Sequence, residues 1–204
     1  MDEPVSRVER KRGRRVEQIL AVAAELFGER GYDAVNLEDV AERLDVTKGS
    51  LYYYFAGKDQ LATAAIETLG DDWTGRLEAM AGAVEGDAAT RLRALIRAHV
   101  VIAVREYPAA LRLFLVPRTW PDALRTRITE MRRRHDQVFR AVLVDGLERG
   151  EFAVVATSTT LQAMHAAMSQ APLWCAGLAD DEQERAFDEL ADTLMKLVAL
   201  NPGP

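Results

Sequence analysis

Cysteine is nearly absent from the chain. The single thiol, Cys175, excludes an intrachain disulfide and any cysteine-cluster metal site. Long apolar runs are missing too: Val100 to Val104, for example, ends at Arg105, far short of the roughly 18 apolar residues a membrane span needs. Basic residues near the start have no apolar segment behind them, so no secretory leader and no membrane contact are expected, and the chain is expected to be cytoplasmic. Strand-like alternation is scarce, with residues 151–155 as the one short candidate. There is no Gly-rich phosphate loop, no Gly-x-Ser-x-Gly elbow, no His-Glu-x-x-His pair and no pair of carboxylates in an apolar setting. No catalytic residue is therefore nominated, no cofactor is expected, and the chain is not expected to be an enzyme. The histidines His99, His135 and His165 stand 36 and 30 residues apart, which is no local metal motif. No metal is nominated from that spacing, while assembly by the tertiary fold stays open.

What is present is an ordinary globular composition, 49% hydrophobic and 28% charged over 204 residues, with a net charge of −6. The acidity argues against a general nucleic-acid coat, but it hides a local asymmetry. Residues 1–15 hold Arg7, Arg10, Lys11, Arg12, Arg14 and Arg15 against Asp2, Glu3 and Glu9. Alanine and leucine dominate, and apolar positions recur at spacings of three and four, so the fold class is all-α. Helices are expected over 12–30, 37–44, 47–54, 58–82, 87–106, 108–116, 122–149, 158–177 and 180–200, with a frayed tail over 201–204. Gly31, Pro108, the 117–121 stretch, Gly150 and Gly177 supply the breaks, and Pro172 should kink or shorten its helix.

Two short helices joined by a tight turn, with another behind them, make a helix-turn-helix. Asn36 reads as the N-cap of the first, with Glu38 and Asp39 in a first turn that favours negative charge. Thr47 reads as the cap of the second. Leu37, Val40, Ala41, Leu44, Val46, Leu51 and Phe55 form the core, with Ala41 small where the helices cross. The outward face of the second helix carries Thr47, Lys48, Ser50, Tyr53 and Tyr54, which are donors, a cation and aromatic rings suited to phosphates and base edges. Three successive tyrosines cannot all point outward on a helix, so at least one is expected to be buried or half-buried, Tyr52 sooner than Tyr53. The basic start then reads as an arm for phosphates or the minor groove. The run Arg132 to Arg134 reads as the exposed face of a long helix.

Residues 16–61, above all the string Gly49-Ser-Leu-Tyr-Tyr-Tyr-Phe-Ala-Gly-Lys-Asp-Gln-Leu61, resemble the DNA-binding domain of TetR-family transcriptional regulators. The resemblance implies an N-terminal three-helix DNA-binding domain over 1–57 and a helical ligand-binding and dimerisation domain over 58–204. It implies that Thr47, Lys48 and Ser50 reach bases and phosphates and that Tyr52 and Tyr53 pack on the sugar-phosphate backbone, while Tyr54 is a candidate DNA contact from its place on the outward face. Lys58 is implied as a phosphate contact, and Asn36 as a cap beside one. Asp45 departs from the family's usual glycine in the turn, yet aspartate tolerates a left-handed backbone better than most residues.

The same resemblance implies a ligand-responsive regulator, expected to be a repressor that binds a near-palindromic double-stranded operator as a homodimer and is released by a small hydrophobic effector. His99, Phe114, Trp120, His135, Phe139, Met164, His165, Met168 and Trp174 are the candidate pocket lining, apolar and aromatic with a few polar groups. The 122–149 helix and the Arg149-Gly-Glu-Phe152 segment loosely resemble members that respond to acyl-CoA or other lipid-derived metabolites. The last two helices are the expected dimer interface, through Leu161, Met164, Met168, Leu173, Phe187, Leu190, Leu194, Leu197 and Val198, a pattern that packing within one chain would also produce. The alternative is a helical small-molecule-binding protein or enzyme whose helix-turn-helix does not bind DNA. It would lack a salt-sensitive affinity for duplexes.

Overall fold

A computed structural model describes residues 6–107 and 120–200 of the chain. The expected 108–116 helix, Phe114 and the 201–204 tail lie outside them. Among the described residues there are eight α-helices and no strand: α1 (Arg7–Arg30), α2 (Leu37–Arg43), α3 (Lys48–Tyr52), α4 (Lys58–Ala83), α5 (Ala88–Val101), α6 (Asp122–Glu148), α7 (Thr157–Cys175) and α8 (Asp180–Met195). A π-helical turn, Ile102–Glu106, continues directly from α5. None of these helices is long and apolar enough to cross a membrane.

The described residues fall into two compact units, the first within Met1–Gly70 and Ala109–Thr129, the second within Asp71–Pro108 and Glu130–Pro204. In the first, α1 buries Ile19, Leu20, Ala23, Ala24, Leu26 and Phe27, the stripe that its spacing of three and four predicts. That stripe begins only at Ile19, yet the helix starts at Arg7, five residues before the expected start. Ser6 and Glu9 explain the extension: the Ser6 hydroxyl accepts from the Glu9 N–H at 3.2 Å and the Glu9 carboxylate accepts from the Ser6 N–H at 2.8 Å. The basic arm is thus the first two turns of a helix.

Tyr32 closes the first unit. Its ring stacks on Phe27, with centroids 6.0 Å apart, and meets Trp120 at 5.7 Å, while its hydroxyl donates to Asp59. Burial, and then the Asp59 carboxylate, push the Tyr32 pKa up to about 12. Asp45 holds the turn between α2 and α3 with φ 53°, so the left-handed conformation is accommodated without glycine.

In the second unit, α5 and α8 pack side by side. Arg93 reaches Asp188 and Asp192, Arg97 reaches Asp188 and Glu184, and Arg105 reaches Glu184 at 2.5 Å. Beneath this ladder Phe187 is fully buried, with the Arg105 guanidinium 5.1 Å from its ring centre. Helix α7 runs through Pro172 and ends at Cys175, within one turn of it. Pro172 has no N–H to give the Met168 carbonyl one turn earlier, and the helix continues for only three residues beyond it.

The 151–155 segment is not a strand. Phe152 turns inward to 5% exposure, and the Ala153 N–H donates to the Val198 carbonyl at 3.0 Å. Gly146 makes room for it: a Cβ there would collide with the Phe152 ring and lie 2.9 Å from the Ala88 Cβ. Gly146→Ala is accordingly expected to destabilise the protein by about 1–3 kcal/mol through overpacking, outweighing a helix-propensity gain of about 1 kcal/mol. Urea midpoints check this, and the substitution should cost less in a Phe152→Leu background than alone. An unchanged or raised midpoint would refute the close-packing argument.

Candidate functional site

The exposed face of the first unit is built from the caps of its short helices. Asn36 is the N-cap of α2: its side chain accepts from the Asp39 N–H at 3.0 Å, and Asp39 returns the bond to the Asn36 N–H at 2.7 Å. Losing such a cap costs about 0.5–2 kcal/mol. The Val46 N–H donates to the Ala41 carbonyl at 2.9 Å, which locks α3 against α2. Leu51 and Phe55 are buried beneath, so the remaining faces of α3 are committed to solvent.

Thr47, Lys48, Ser50, Tyr52 and Tyr53 are all exposed, Tyr53 at 72% and Tyr52 at 46%. The half-buried tyrosine is Tyr54 and not Tyr52, because Tyr54 falls three residues after the buried Leu51; it lies edge-on to Tyr53 with centroids 5.0 Å apart. Thr47 occupies the N-cap position of α3, but its hydroxyl pairs with the Ser50 hydroxyl at 2.9 Å and caps no backbone N–H. The Ser50 N–H donates instead to the Thr47 carbonyl at 2.9 Å. Lys48 forms an ion pair with Glu38 and lies 5.5 Å from the Tyr52 ring centre; each partner holds the other charged, Glu38 below the usual carboxylate range and Lys48 above the usual amine range.

Lys58 is committed more deeply than a surface lysine. Its ammonium donates to the carbonyls of Tyr32 at 3.0 Å and Asp33 at 3.3 Å, and sits 4.3 Å from the Tyr32 ring centre. That arrangement ties the start of α4 to the loop before α2. Beside α3, a groove of about 520 Å³ is lined by Lys11, Arg12, Arg14, Arg15, Tyr53 and Tyr54 among others, with the Arg12 guanidinium 6.0 Å from the Tyr53 ring. Cations and an exposed aromatic ring on one surface are the makings of a phosphate-binding face.

The second unit carries a different constellation. His99 on α5, His135 on α6 and His165 on α7 converge, joined by Trp73 from α4 and Phe139 from α6. Ring centroids are 5.0 Å apart for His99–His135, 5.2 Å for His135–His165, 4.6 Å for Trp73–His135 and 4.9 Å for Phe139–His165. Burial is the main reason that all three imidazoles lose their protons readily. His99 falls well below the ordinary value, His135 falls to about 3, and His165 falls less because Asp136, 3.5 Å from its Nε2, opposes the shift. Neither ring nitrogen of His99 or His135 has a hydrogen-bond partner among the described residues. Each such buried polar atom costs about 1–3 kcal/mol, an unusual expense for a helical core.

Of the nominated pocket residues, the fold brings together His99, His135, Phe139 and His165, and buries Met164 and Met168 on the helix that carries His165. Trp120 packs against Tyr32 in the first unit, and Trp174 is 48% exposed. Trp73 was missed; its position against His99 and His135 depends on contacts among helices and has no local signal. The expected dimer face also divides. Leu161, Met164, Met168, Phe187, Leu194 and Val198 are buried within the chain, whereas Leu173, Trp174 and Leu197 are exposed.

Residues 19–65 match the family model described as bacterial regulatory proteins of the tetR family, and residues 85–198 match the model of the tetracyclin repressor-like C-terminal domain. The HTH-type transcriptional repressor KstR2 of Rhodococcus jostii is 26% identical over 142 residues, 70% of this chain and 69% of that one. The HTH-type transcriptional regulator RutR of Escherichia coli K12 is 34% identical over 96 residues, 47% of this chain, and the match spans 44% of RutR. The crystal structure of AibR in complex with isovaleryl coenzyme A and operator DNA superposes with a TM-score of 0.74 at 20% identity, over 91% of this chain and 98% of that one.

Proposed function

The chain belongs to the TetR family of bacterial regulatory proteins and is a DNA-binding transcriptional regulator; from that premise we propose that it is a cytoplasmic repressor released from a near-palindromic operator by a small hydrophobic effector. The observation that carries the DNA half is the solvent-committed face of α3, flanked by the basic groove along α1. Residues 1–57 serve as the DNA-binding domain. Thr47, Lys48 and Ser50 face the bases and nearby phosphates, Tyr52, Tyr53 and Tyr54 lie along the backbone, and Asn36 presents the N-terminus of α2 to a phosphate. Lys58 acts chiefly by holding that surface together through the Tyr32 and Asp33 carbonyls.

Residues 58–204 bind the effector and a second copy of the chain. An acyl-CoA-like effector draws support from the isovaleryl coenzyme A bound by AibR and from the methionines and aromatic rings buried in the second unit. The exposed apolar residues Leu173 and Trp174 on α7 and Leu197 in the turn after α8 are the contacts for the two-fold partner. Two modules about 34–36 Å apart read successive major grooves, and an effector that binds the wrong spacing more tightly empties the operator by population shift. The protein acts by binding, with no catalytic step.

The test is selection of duplexes from a random pool by the purified protein at two salt concentrations. A near-palindromic winner, bound by a dimer and bound less tightly at the higher salt, is the expected result. If nothing is enriched, the selection is repeated on protein unfolded and refolded to strip any effector. Continued failure would overturn the reading.

A further inference from the structure

The geometry points to a site for one divalent transition-metal ion in the second unit, held by the imidazoles of His99, His135 and His165. This goes beyond the effector reading, and its test needs neither DNA nor an effector. The chain has three histidines in all, and all three meet, each from a different helix, although 36 and 30 residues separate them in sequence. One nitrogen from each lies within 4.8 Å of the other two. Zinc–nitrogen bonds of about 2.0–2.1 Å in a tetrahedral site place ligand nitrogens about 3.3 Å apart. Ring rotations that draw the set together by about 1.5 Å at most would complete the site.

The donor set also selects the metal. Three imidazoles without a thiolate suit zinc, cobalt, nickel or copper, whereas magnesium and calcium demand oxygen ligands. Among the described residues, both ring nitrogens of His99 and of His135 lack a hydrogen-bond partner, so a lone pair on each is uncommitted to them. His99 lies deepest, at 2% exposure, while His135 and His165 are half-buried and give the ion a way in. Asp136, held by Arg140 at 3.0 Å, has a carboxylate oxygen 3.5 Å from His165 Nε2 and is placed to take a hydrogen bond from that imidazole once its ring turns toward an ion. Three protein ligands leave a fourth position open to solvent or to a donor atom of a bound molecule.

The experiment titrates cobalt(II) into the full chain, with any affinity tag removed and prior chelator treatment, and reads the visible d–d bands. One equivalent per chain with the intensity of a four-coordinate site, displaced by one equivalent of zinc, is expected. His135→Gln and His165→Gln should each remove that spectrum with helical circular dichroism retained. Asp136→Asn should weaken binding by about 10–100-fold. Absence of a stoichiometric cobalt spectrum and of a one-equivalent zinc isotherm in the unmodified chain would overturn the site, as would unchanged binding in both glutamine variants. Should a glutamine variant fail to fold, X-ray absorption of the unmodified zinc complex decides: imidazole scattering can come only from these three residues, and its absence rejects them as ligands.

Discussion

Lys48→Ala is expected to weaken binding to the selected operator by roughly 5- to 150-fold per half-site and to relax base preference at one position in each half. A two-fold dimer loses the contact twice, so the whole-site effect approaches the square of that factor. The residue sits on the exposed face of α3 at its first helical position, where it can reach a groove without disturbing Leu51 or Phe55 beneath. Its present partner is the Glu38 carboxylate, which a phosphate or base acceptor must displace. Glu38→Gln should therefore move affinity the other way, raising it a few-fold at low salt, because an exposed ion pair is a weak competitor. Tyr53→Ala provides the contrast. It should weaken selected and unrelated duplexes alike, since a ring on the backbone carries no base identity. Parallel selections with the three variants check all of this. A Lys48→Ala winner identical in sequence and affinity to the original would remove Lys48 from the reading face.

The largest expected effect on stability comes from Phe187→Ala. The ring is fully buried between α8 and the α5 side of the second unit, and deletion leaves a phenyl-sized cavity costing about 3–5 kcal/mol. For a chain of this length that corresponds to a fall in melting temperature of roughly 6–20 °C, at about 2–4 °C per kcal/mol. The arginine ladder above it looks more elaborate, yet Arg93, Arg97 and Arg105 are each more than a third exposed or close to it, and their partners more so. Solvent screens such pairs. Arg97→Ala should shift the melting temperature by a small fraction of the Phe187→Ala shift, and calorimetry of the two variants settles the order. A larger loss from Arg97→Ala would mean that the ladder, and not the apolar layer, fastens α8.

The helix-turn-helix was legible because its determinants are local. Asn36 and Asp39 cap within three residues, Asp45 turns the chain alone, and Leu37, Val40, Ala41 and Leu51 recur at helical spacing. The first two turns of α1 were not, since residues 7–15 have no apolar stripe to reveal a period, and the signal was a polar cap at Ser6 and Glu9. The 151–155 segment misled for the opposite reason. Its alternation suits a strand, but the space left at Gly146 recruits Phe152 into the helical core. The histidines were visible as residue types and invisible as a cluster, because meeting across α5, α6 and α7 is a property of packing that no spacing along one helix encodes. Trp174 and Leu173 showed the residual ambiguity of apolar helices: one pattern serves both a chain's own core and a partner's.

The capped start of α1 has a kinetic consequence. Fixing a backbone residue from a random tether costs about 1–2 kcal/mol, a charge that a disordered basic tail meets each time it grips a duplex. Here residues 7–15 are already a rod about 12 Å long at a rise of 1.5 Å per residue. On the proposed reading its guanidinium groups would approach DNA as a fixed array, with only side-chain freedom left to surrender. Such an array steers the incoming molecule by its field before contact, so shortening the rod slows arrival at the operator more than it hastens departure.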